Sequence, residues 1–326
     1  MMPQPCSRKL PDERRRHVTL IAGLVTSTGI VFASDSEESG GYRKASADKI
    51  LSHQNPSGSS IVVSGSGHGH LIDYTAQRIL KEATPFPELP KVLEQIELVL
   101  REVFQDHVRL QAVRDIRQAD FELLIGVKAS ADTKAHLFST SGIAIIEKTK
   151  YQVCGSGALV DYILSQMYRQ PMSTEDAVCA CLYLLNVAKE YVDGVGGDSH
   201  IKILNHHNGS IMEKPDWEVT AEEDLTKSFT KISSNIMFAT LRTIGGTDSD
   251  FEQALSKFGN DVHELREKKK KSDEVIEKLI KAWREEQERK KAEDAKIAAL
   301  KAKAVSELAE VTKGASDMTD NEDSGV

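Results

Sequence analysis

One short stretch of the sequence alternates glycine with residues that can bind an ion or a phosphate. It runs from Gly65 to His70 as Gly-Ser-Gly-His-Gly-His, directly before a segment with helical periodicity. A phosphate cradle of the P-loop kind needs a lysine at a fixed spacing, which this stretch lacks. Two histidines are also too few for a convincing metal-ligand set. We therefore expect a glycine-rich turn here, and we expect His206 and His207 to be exposed loop residues.

The four cysteines do not indicate a disulfide framework or a zinc site. Cys179 and Cys181 stand two residues apart inside a helical pattern, so their side chains point to different faces, and Cys6 and Cys154 complete no paired spacing. This usage is typical of a reducing compartment. No apolar run approaches membrane-spanning length, and residues 1–16 lack the apolar core of a secretion signal. These features predict a soluble protein of the cytoplasm, the nucleus or both, without a membrane partner.

The charge of the chain argues against nucleic acid as a partner. Its 50 aspartate and glutamate residues outnumber its 42 lysine and arginine residues, which gives a formal net charge of −8. The start of the chain is basic, the middle is mixed and the end is acidic. Nucleic-acid-binding domains carry a concentrated basic patch. We therefore expect no nucleic-acid partner.

Residues 1–16 are predicted to be a flexible basic leader. In residues 17–206 the sequence pattern predicts blocks of strands that alternate with pairs of helices. β-Branched and apolar runs predict the strands, and apolar residues at three- and four-residue spacing predict the helices. The predicted strands are Val18–Val25, Gly29–Ser34, Tyr42–Leu51, Ser60–Ser64, Phe121–Lys128, Ala135–Thr140, Ile143–Glu147, Tyr151–Cys154 and Ile201–Leu204. The predicted helices are Leu71–Ala83, Val92–Val108, Ala158–Tyr168 and a last one that a capping box at Ser173 and Asp176 opens and that ends near Val192.

This order of elements predicts an α+β fold. A doubly wound parallel sheet needs single helices between single strands, whereas here blocks of strands alternate with pairs of helices. Two antiparallel sheets stacked face to face, with a helix pair on each outer side, would bury every apolar face. We therefore expect a four-layer αββα sandwich.

The element order and several turns resemble the proteasome α/β subunit family, within the amino-terminal-nucleophile (Ntn) hydrolase superfamily. The pieces that carry the resemblance are Thr19-Leu-Ile-Ala-Gly-Leu-Val, Gly29-Ile-Val-Phe-Ala-Ser-Asp35-Ser, Ala45-Ser-Ala-Asp-Lys49-Ile, Gly155-Ser-Gly157 and Gly196-Gly197 before Ile201. The chain lacks the entry motif of typical α subunits and departs from the catalytic β pattern. It therefore resembles a divergent member of the family.

The resemblance implies peptide-bond hydrolysis by a threonine that becomes the first residue when the leader is removed. Carried over by position, the nucleophile is Thr19, and its free α-amino group serves as the base. Lys49 lowers the barrier electrostatically and Asp35 holds that lysine charged. Ser156 matches the serine of the family's Gly-Ser-Gly turn near the nucleophile, and backbone amides close to Gly155 and Ser156 would stabilise the oxyanion. The family implies no metal or organic cofactor, and it implies assembly with further copies or related subunits.

Several positions depart from the pattern of active subunits. Val18 stands where a glycine usually precedes the nucleophile, and Glu37 stands where an arginine is common. The interval from Asp35 to Lys49 is two residues short, which puts the reach of the ammonium to the threonine in question. Asp193, the fifth candidate catalytic residue, opens an Asp-Gly-Val-Gly-Gly stretch that lacks the serine of the family pattern.

Structural explanations compete with the catalytic ones. Thr19 is also a β-branched residue where strands favour such residues, Asp35 and Lys49 would also make an ordinary ion pair, and Ser156 is also the small residue of a tight turn. The sequence therefore leaves three functions open. They are a threonine peptidase subunit, an amidohydrolase acting on a small amide, and an inactive scaffold or adaptor that uses the sandwich for assembly.

The remainder of the chain is predicted to connect the domain to a long helix. Residues 207–250 form the connecting segment, in which Leu225–Leu241 has an amphipathic pattern. Residues 251–312 are rich in Lys, Glu, Ala and Arg, which are good helix formers. Arg284–Lys296 has no large apolar residue, so a sustained coiled-coil seam is not expected. This helix is either solvated and held by ion pairs or an arm that docks a partner, and residues 313–326 are predicted to be disordered.

Overall fold

The structure is a computed structural model that describes residues 19–40, 43–109, 121–155, 157–243 and 247–319. The predicted leader over residues 1–16 lies outside these ranges, and so does Ser156. The chain divides into two compact units, Met1–Val262 and His263–Val326. All the described strands belong to the first unit. The described part of the second unit is helical.

The first of two five-stranded sheets has the strand order β10-β1-β2-β11-β12. Its strands are β1 (Leu20–Val25), β2 (Gly29–Asp35), β10 (Tyr151–Gly155), β11 (Ser199–Asn205) and β12 (Ile211–Glu213). Every neighbouring pair is antiparallel. Ile21 lies opposite Ser34, so the start of β1 meets the end of β2. The first and last strands of the predicted domain therefore share one sheet.

The second sheet has the order β5-β6-β7-β8-β9 and is also antiparallel throughout. Its strands are β5 (Ile50–Gln54), β6 (Ser59–Gly67), β7 (Phe121–Ala129), β8 (His136–Ser141) and β9 (Ala144–Lys148). A separate hairpin joins β3 (Glu37–Gly40) to β4 (Arg43–Ser46). The single strand predicted over Tyr42–Leu51 is therefore wrong, because the chain leaves extended pairing at residues 47–49 between β4 and β5.

Six helices lie in the described part of the chain. They are α1 (Gly69–Ala83), α2 (Leu89–Val103), α3 (Gly157–Met167), α4 (Thr174–Tyr191), α5 (Asp216–Thr243) and α6 (Asp248–Thr319). A π-helical turn, Phe104–Val108, continues α2. The predicted cap is present, since Asp176 N donates to Ser173 Oγ at 3.0 Å. That bond satisfies one of the amide donors that a helix start leaves unpaired.

The core consists of three apolar clusters that follow the alternation of side chains along each strand. In β2, Val31 and Ala33 pack with residues of α3 and α4, whereas Ile30 and Phe32 pack with residues of β5, β6 and β7. A third cluster joins the opposite face of the second sheet to α1 and α2. Successive side chains of a strand point to opposite faces, so a strand buried on both faces has a continuous apolar sequence. The predicted α+β class with two antiparallel sheets is confirmed.

The carboxyl-terminal helices are longer than the sequence pattern predicted. α5 extends well beyond the amphipathic span Leu225–Leu241, and α6 begins before residue 251 and ends after residue 312. Residues 313–319, predicted to be disordered, are helical, whereas residues 320–326 lie outside the described ranges. None of the helices in the described part of the chain has the length and apolarity needed to cross a membrane.

The packing of β2 against β7 gives a stability prediction. A Cβ atom added at Gly126 would lie 2.6 Å from Phe32 Cζ, so the ring fills the space that this glycine leaves. We expect Gly126→Ala to destabilise the fold by about 1–3 kcal/mol through overpacking. Phe32→Leu in the same chain should restore part of that loss, which urea unfolding of both single variants and the double variant will measure. Strictly additive effects would contradict direct contact between the two sheets here.

Candidate active site

Thr19, Lys49 and Asp35 meet at the start of β1. Lys49 Nζ lies 2.7 Å from Thr19 Oγ1 and 3.0 Å from Asp35 Oδ1. It also donates to the carbonyl oxygen of Glu37 at 2.6 Å. The ammonium thus directs its three N–H groups to three acceptors, one of which is the threonine hydroxyl. The shorter interval between Asp35 and Lys49 does not keep the lysine from reaching Thr19.

Asp35 is held at the end of β2 by backbone groups as well as by the lysine. Its side chain is fully buried. Oδ1 accepts from Leu20 N at 3.0 Å, and Oδ2 accepts from Gly196 N at 3.2 Å. A buried carboxylate needs such donors because burial removes its hydration. Asp35 therefore links β1, β2 and the turn before β11 at one point.

Lys49 reaches the site because the chain leaves strand pairing just before it. Ala47 N donates to the carbonyl of Ser36 at 3.0 Å, and the Asp48 carboxylate accepts from Ile50 N at 3.0 Å. The carbonyl of Lys49 accepts from Ser64 Oγ at 2.6 Å. These bonds fix the backbone on both sides of the lysine. The break at residues 47–49 is thus the local feature that directs the lysine side chain at Thr19.

Burial lowers the pKa of Lys49 below its usual value, and the neighbouring Asp35 carboxylate opposes that shift. The lysine side chain is only 11% exposed. In its charged form Lys49 donates a hydrogen bond to Thr19 Oγ1 and would stabilise negative charge that develops on that oxygen. A lysine with a lowered pKa can also exchange a proton at neutral pH more readily than a surface lysine. The arrangement fits activation of a hydroxyl nucleophile.

The other two sequence-predicted residues are not seen in this cluster. Ser156 lies outside the described residues, although its neighbour Gly155 ends β10 beside Thr19. A Cβ atom at Gly155 would collide with the carbonyl oxygen of Thr19, and the φ of Gly155 is +94°. Asp193 is exposed in the turn after α4. Among the described contacts of Thr19, Asp35 and Lys49, none involves the Asp193 side chain.

Glu37 contacts Gly196 in the turn before β11. Glu37 N donates to the carbonyl of Gly196 at 3.0 Å. A Cβ atom at Gly196 would collide with the carboxylate of Glu37. Glu37, which stands where an arginine is common in the resembling family, therefore fits against a glycine of the turn that lacks the family's serine. Their correlation in space was not visible in the sequence, because the two residues lie far apart along the chain.

Thr19 lines a cleft that the sequence did not indicate. The side chains of Glu38 and Asp73 line it, together with the glycines of the Gly65–His70 stretch. That stretch lies at the end of β6 and the start of α1, as the turn interpretation requires. The signal available in the sequence was the set of three alternating glycines, which lets neighbouring side chains approach the backbone closely. Nothing in the spacing of Glu38 and Asp73 indicated that they would meet.

A second polar cluster lies beside Lys49, around its neighbour Asp48. Asp48, His200 and Glu213 each place a ligand atom within 4.8 Å of the others, the one such group of metal-ligand type in the described residues. Lys202 Nζ already lies 2.8 Å from Asp48 Oδ2 and 3.7 Å from Glu213 Oε2. Its positive charge neutralises these carboxylates and would repel a divalent cation. The cluster is therefore better described as an ion-pair network.

His206 is not the exposed loop residue that the sequence suggested. Its Nδ1 accepts from Ala135 N at 3.0 Å, and its Nε2 lies 3.1 Å from the carbonyl oxygen of Thr26. Because Nδ1 accepts, the ring proton is on Nε2, which donates to Thr26. Burial lowers the pKa of His206, which favours this neutral form. His206 therefore bridges the two sheets, while His207 is exposed as predicted.

The fold is similar to that of solved Anbu structures. Anbu from Hyphomicrobium sp. strain MC1 matches with a TM-score of 0.56 and 15% identity, over 66% of this chain and 96% of that chain. Anbu from Yersinia bercovieri, described as an ancestral beta-subunit, matches with a TM-score of 0.54 and 16% identity, over 66% and 97%. The helical assembly of the Anbu complex from Pseudomonas aeruginosa matches with a TM-score of 0.54 and 19% identity, over 65% and 94%.

No protein-family model and no curated protein sequence matches the chain. At the identities just given, the likeness to solved structures defines the fold and not the activity. It corrects the sequence-based assignment to the proteasome α/β subunit family. The structures that match are Anbu proteins, one of them described as an ancestral beta-subunit, and not standard proteasome α or β subunits.

The close approach of Gly155 to Thr19 gives a second prediction. Gly155→Ala combines a left-handed backbone with a collision, whereas Gly142→Ala has a similar φ of +59° and nothing within 4 Å of the added atom. Both changes should cost about 1–2 kcal/mol of backbone strain. Gly155→Ala should cost roughly 1–3 kcal/mol more through overpacking. Denaturant unfolding of the two variants will measure the difference, and equal losses would argue against the contact with Thr19.

The ion-pair network around Asp48 gives a prediction about pH. The hydrogen bond with Asp48 raises the pKa of His200 above its usual 6.5, although burial opposes this. The resulting stabilisation is complete below the unfolded-state pKa and is lost as the pH rises through the higher folded-state pKa. The stability advantage of the natural chain over His200→Gln should therefore shrink from about pH 6 to about pH 8.

Unfolding free energies of both proteins across this pH range will check the prediction. His53→Gln, which removes an exposed histidine of β5, is the matched control for loss of a ring. A stability difference between the natural chain and His200→Gln that stays constant with pH would show that Asp48 does not hold His200 in its charged form.

Proposed function

We propose that this chain is an Ntn hydrolase subunit of the proteasome-like, Anbu-like kind, which cleaves peptide bonds with the hydroxyl of Thr19. The observation that carries the proposal is the contact of Lys49 Nζ with Thr19 Oγ1 at 2.7 Å and with Asp35 Oδ1 at 3.0 Å. An ordinary surface ion pair would not need the threonine hydroxyl as a third partner or a fully buried carboxylate.

Each group has a role in the proposed reaction. Thr19 Oγ1 attacks the carbonyl carbon of the scissile amide and forms an ester, while the hydroxyl proton goes by way of the base to the amine that leaves. Lys49 stabilises the negative charge as it develops on the attacking oxygen. Asp35 keeps Lys49 oriented and charged. Water then hydrolyses the ester and regenerates the threonine.

The α-amino group of Thr19 can act as the base only after the leader is removed. An α-amino group titrates near neutral pH, with a typical pKa of about 7.7–8.0. Val18 precedes the proposed cut where active subunits usually have glycine. The proposal therefore includes cleavage between Val18 and Thr19, either by the chain itself or by another protease.

The proposed architecture of the first unit is a four-layer αββα sandwich. The cluster shared by the two sheets and the clusters beneath α1 with α2 and α3 with α4 support it. We also propose that the chain assembles with further copies of itself. One of the solved structures with this fold is a helical assembly of the Anbu complex.

The test combines the mass of the amino terminus with variants of the site. We expect the purified protein to begin at Thr19, whereas Thr19→Ala should retain the leader and lose peptide hydrolysis by a factor on the order of 10³ or more. Lys49→Ala should lose a comparable factor. Thr19→Ser keeps the hydroxyl, and Lys91→Ala removes an exposed lysine of α2, so both should retain activity.

An intact leader in the natural protein, together with equal turnover in Thr19→Ala, would sink the enzymatic proposal. Circular dichroism of each variant will separate loss of chemistry from loss of the fold. The scaffold function would then be the remaining explanation of the sandwich.

A further inference from the structure

The cleft beside Thr19 has a volume of about 100 Å³ and walls of two kinds. Its apolar and glycine residues are Ala47, Leu51, Val63, Gly65, Gly67, Gly69, Ile72 and Ala76. Its acidic residues are Glu37, Glu38, Asp48 and Asp73, and Lys49 is the one lysine among the described lining residues. An apolar cleft with an acidic rim is suited to a side chain that combines a hydrocarbon stem with a positive end.

The glycines determine how closely the two kinds of wall approach the backbone. A Cβ atom at Gly65 would lie 2.6 Å from Ile72 Cγ2, and one at Gly69 would lie 3.2 Å from Glu38 Oε1. A larger residue at Gly65 would push Ile72 away, and one at Gly69 would crowd the carboxylate of Glu38. The glycine-rich stretch therefore allows the apolar side chain and the carboxylate to pack at the same cleft.

Glu38 and Asp73 lie on the same side of the cleft. The Glu38 carboxylate lies against Gly69, at the start of α1, and Asp73 follows four residues later on the same helix. Residues four apart on a helix are neighbours on one face. The charge of Glu38 also raises the pKa of Asp73, after a larger effect of burial and against the opposing charge of His70. The two carboxylates are therefore close enough to repel each other.

Among the described side chains, Lys49 attracts Glu38 and His70 attracts Asp73 through charge, without a described hydrogen bond to either carboxylate. Lys49 directs its N–H groups to Thr19, Asp35 and the Glu37 carbonyl, and Lys202 pairs with Asp48 instead. Neither makes a described hydrogen bond with Glu38 or Asp73. A cationic ligand would relieve the repulsion between the two carboxylates and form new charge-assisted hydrogen bonds.

We propose that the cleft binds a lysine or arginine side chain of the substrate, with Glu38 and Asp73 binding its charged end. The hydrocarbon stem packs on Leu51 and Ile72, in the way that such stems cover apolar surface. This inference deepens the proposed function and rests on it, because the bound residue is the one whose carbonyl Thr19 attacks. The substrate class is thus peptides cleaved after basic residues.

The first experiment measures binding alone, so that it does not depend on catalysis. Butylguanidinium and butylurea have nearly the same shape, but only the first is charged. Their dissociation constants will be measured by NMR titration of the full chain. We expect butylguanidinium to bind at least about tenfold more tightly, and Asp73→Asn or Glu38→Gln to remove most of that preference.

Glu94→Gln is the matched control, because it removes the same charge from an exposed position of α2 outside the cleft. The preference for butylguanidinium should survive in this variant. Equal binding of the two probes, or a preference that persists in both Asp73→Asn and Glu38→Gln, would overturn the inference.

The second experiment compares kcat/KM for peptide amides with arginine, leucine or aspartate before the scissile bond. We expect the order arginine, leucine, aspartate, with the ratio of arginine to leucine falling about tenfold in Asp73→Asn. Hydrolysis with a preference for leucine or aspartate would keep the proposed function and overturn the cationic subsite. Charge-dependent binding of butylguanidinium without hydrolysis of any amide would keep the subsite and defeat the proposed function.

Discussion

The arrangement of the site depends on one buried positive charge. The ammonium of Lys49 is almost fully removed from water, and it is stable there because a carboxylate, a carbonyl and a hydroxyl accept its hydrogen bonds. Without these acceptors, the desolvation free energy of the buried ammonium would not be compensated. The end of β2, the break after β4 and the start of β1 must therefore come together around it. This requirement determines the backbone conformation around the site.

The two sheets supply the rigidity that this requirement needs. Phe32 of β2 packs into the space beside Gly126 of β7, and His206 bridges Thr26 to Ala135. These contacts fix the strand that bears Asp35 against the sheet from which Lys49 approaches. The contact of Glu37 with Gly196 is a further example, since the absence of a side chain at the glycine leaves room for the glutamate carboxylate.

Sequence patterns predicted the elements that depend on periodicity, and they missed the contacts between residues that lie far apart along the chain. Strands buried on both faces, such as β2, appear as continuous apolar runs, so the α+β class and most elements followed from the sequence. The break at residues 47–49 did not, because Ala-Ser-Ala-Asp-Lys lacks glycine and proline, and Ser36 and Ser64 fix the break together with the local bond from Ile50 N to Asp48. Glu38 and Asp73 belong to different elements, and no spacing rule joins them. The motifs indicated a likeness to a family, but the assignment to a divergent member of the proteasome α/β subunit family was wrong, since the structures that match are Anbu proteins.

The bond from Leu20 N to Asp35 has a consequence for the chain end. A new terminus ordinarily frays, because its first residues lose the restraint of the preceding backbone. Here the restraint comes from the residues that follow. The amide of Leu20 is held by its hydrogen bond to Asp35, and Gly155 packs closely against the carbonyl of Thr19. Cleavage before Thr19 would thus produce a free α-amino group on a residue that is itself almost immobile. Removal of the leader would then act on an already folded site, and the new chain end would have little conformational entropy to lose.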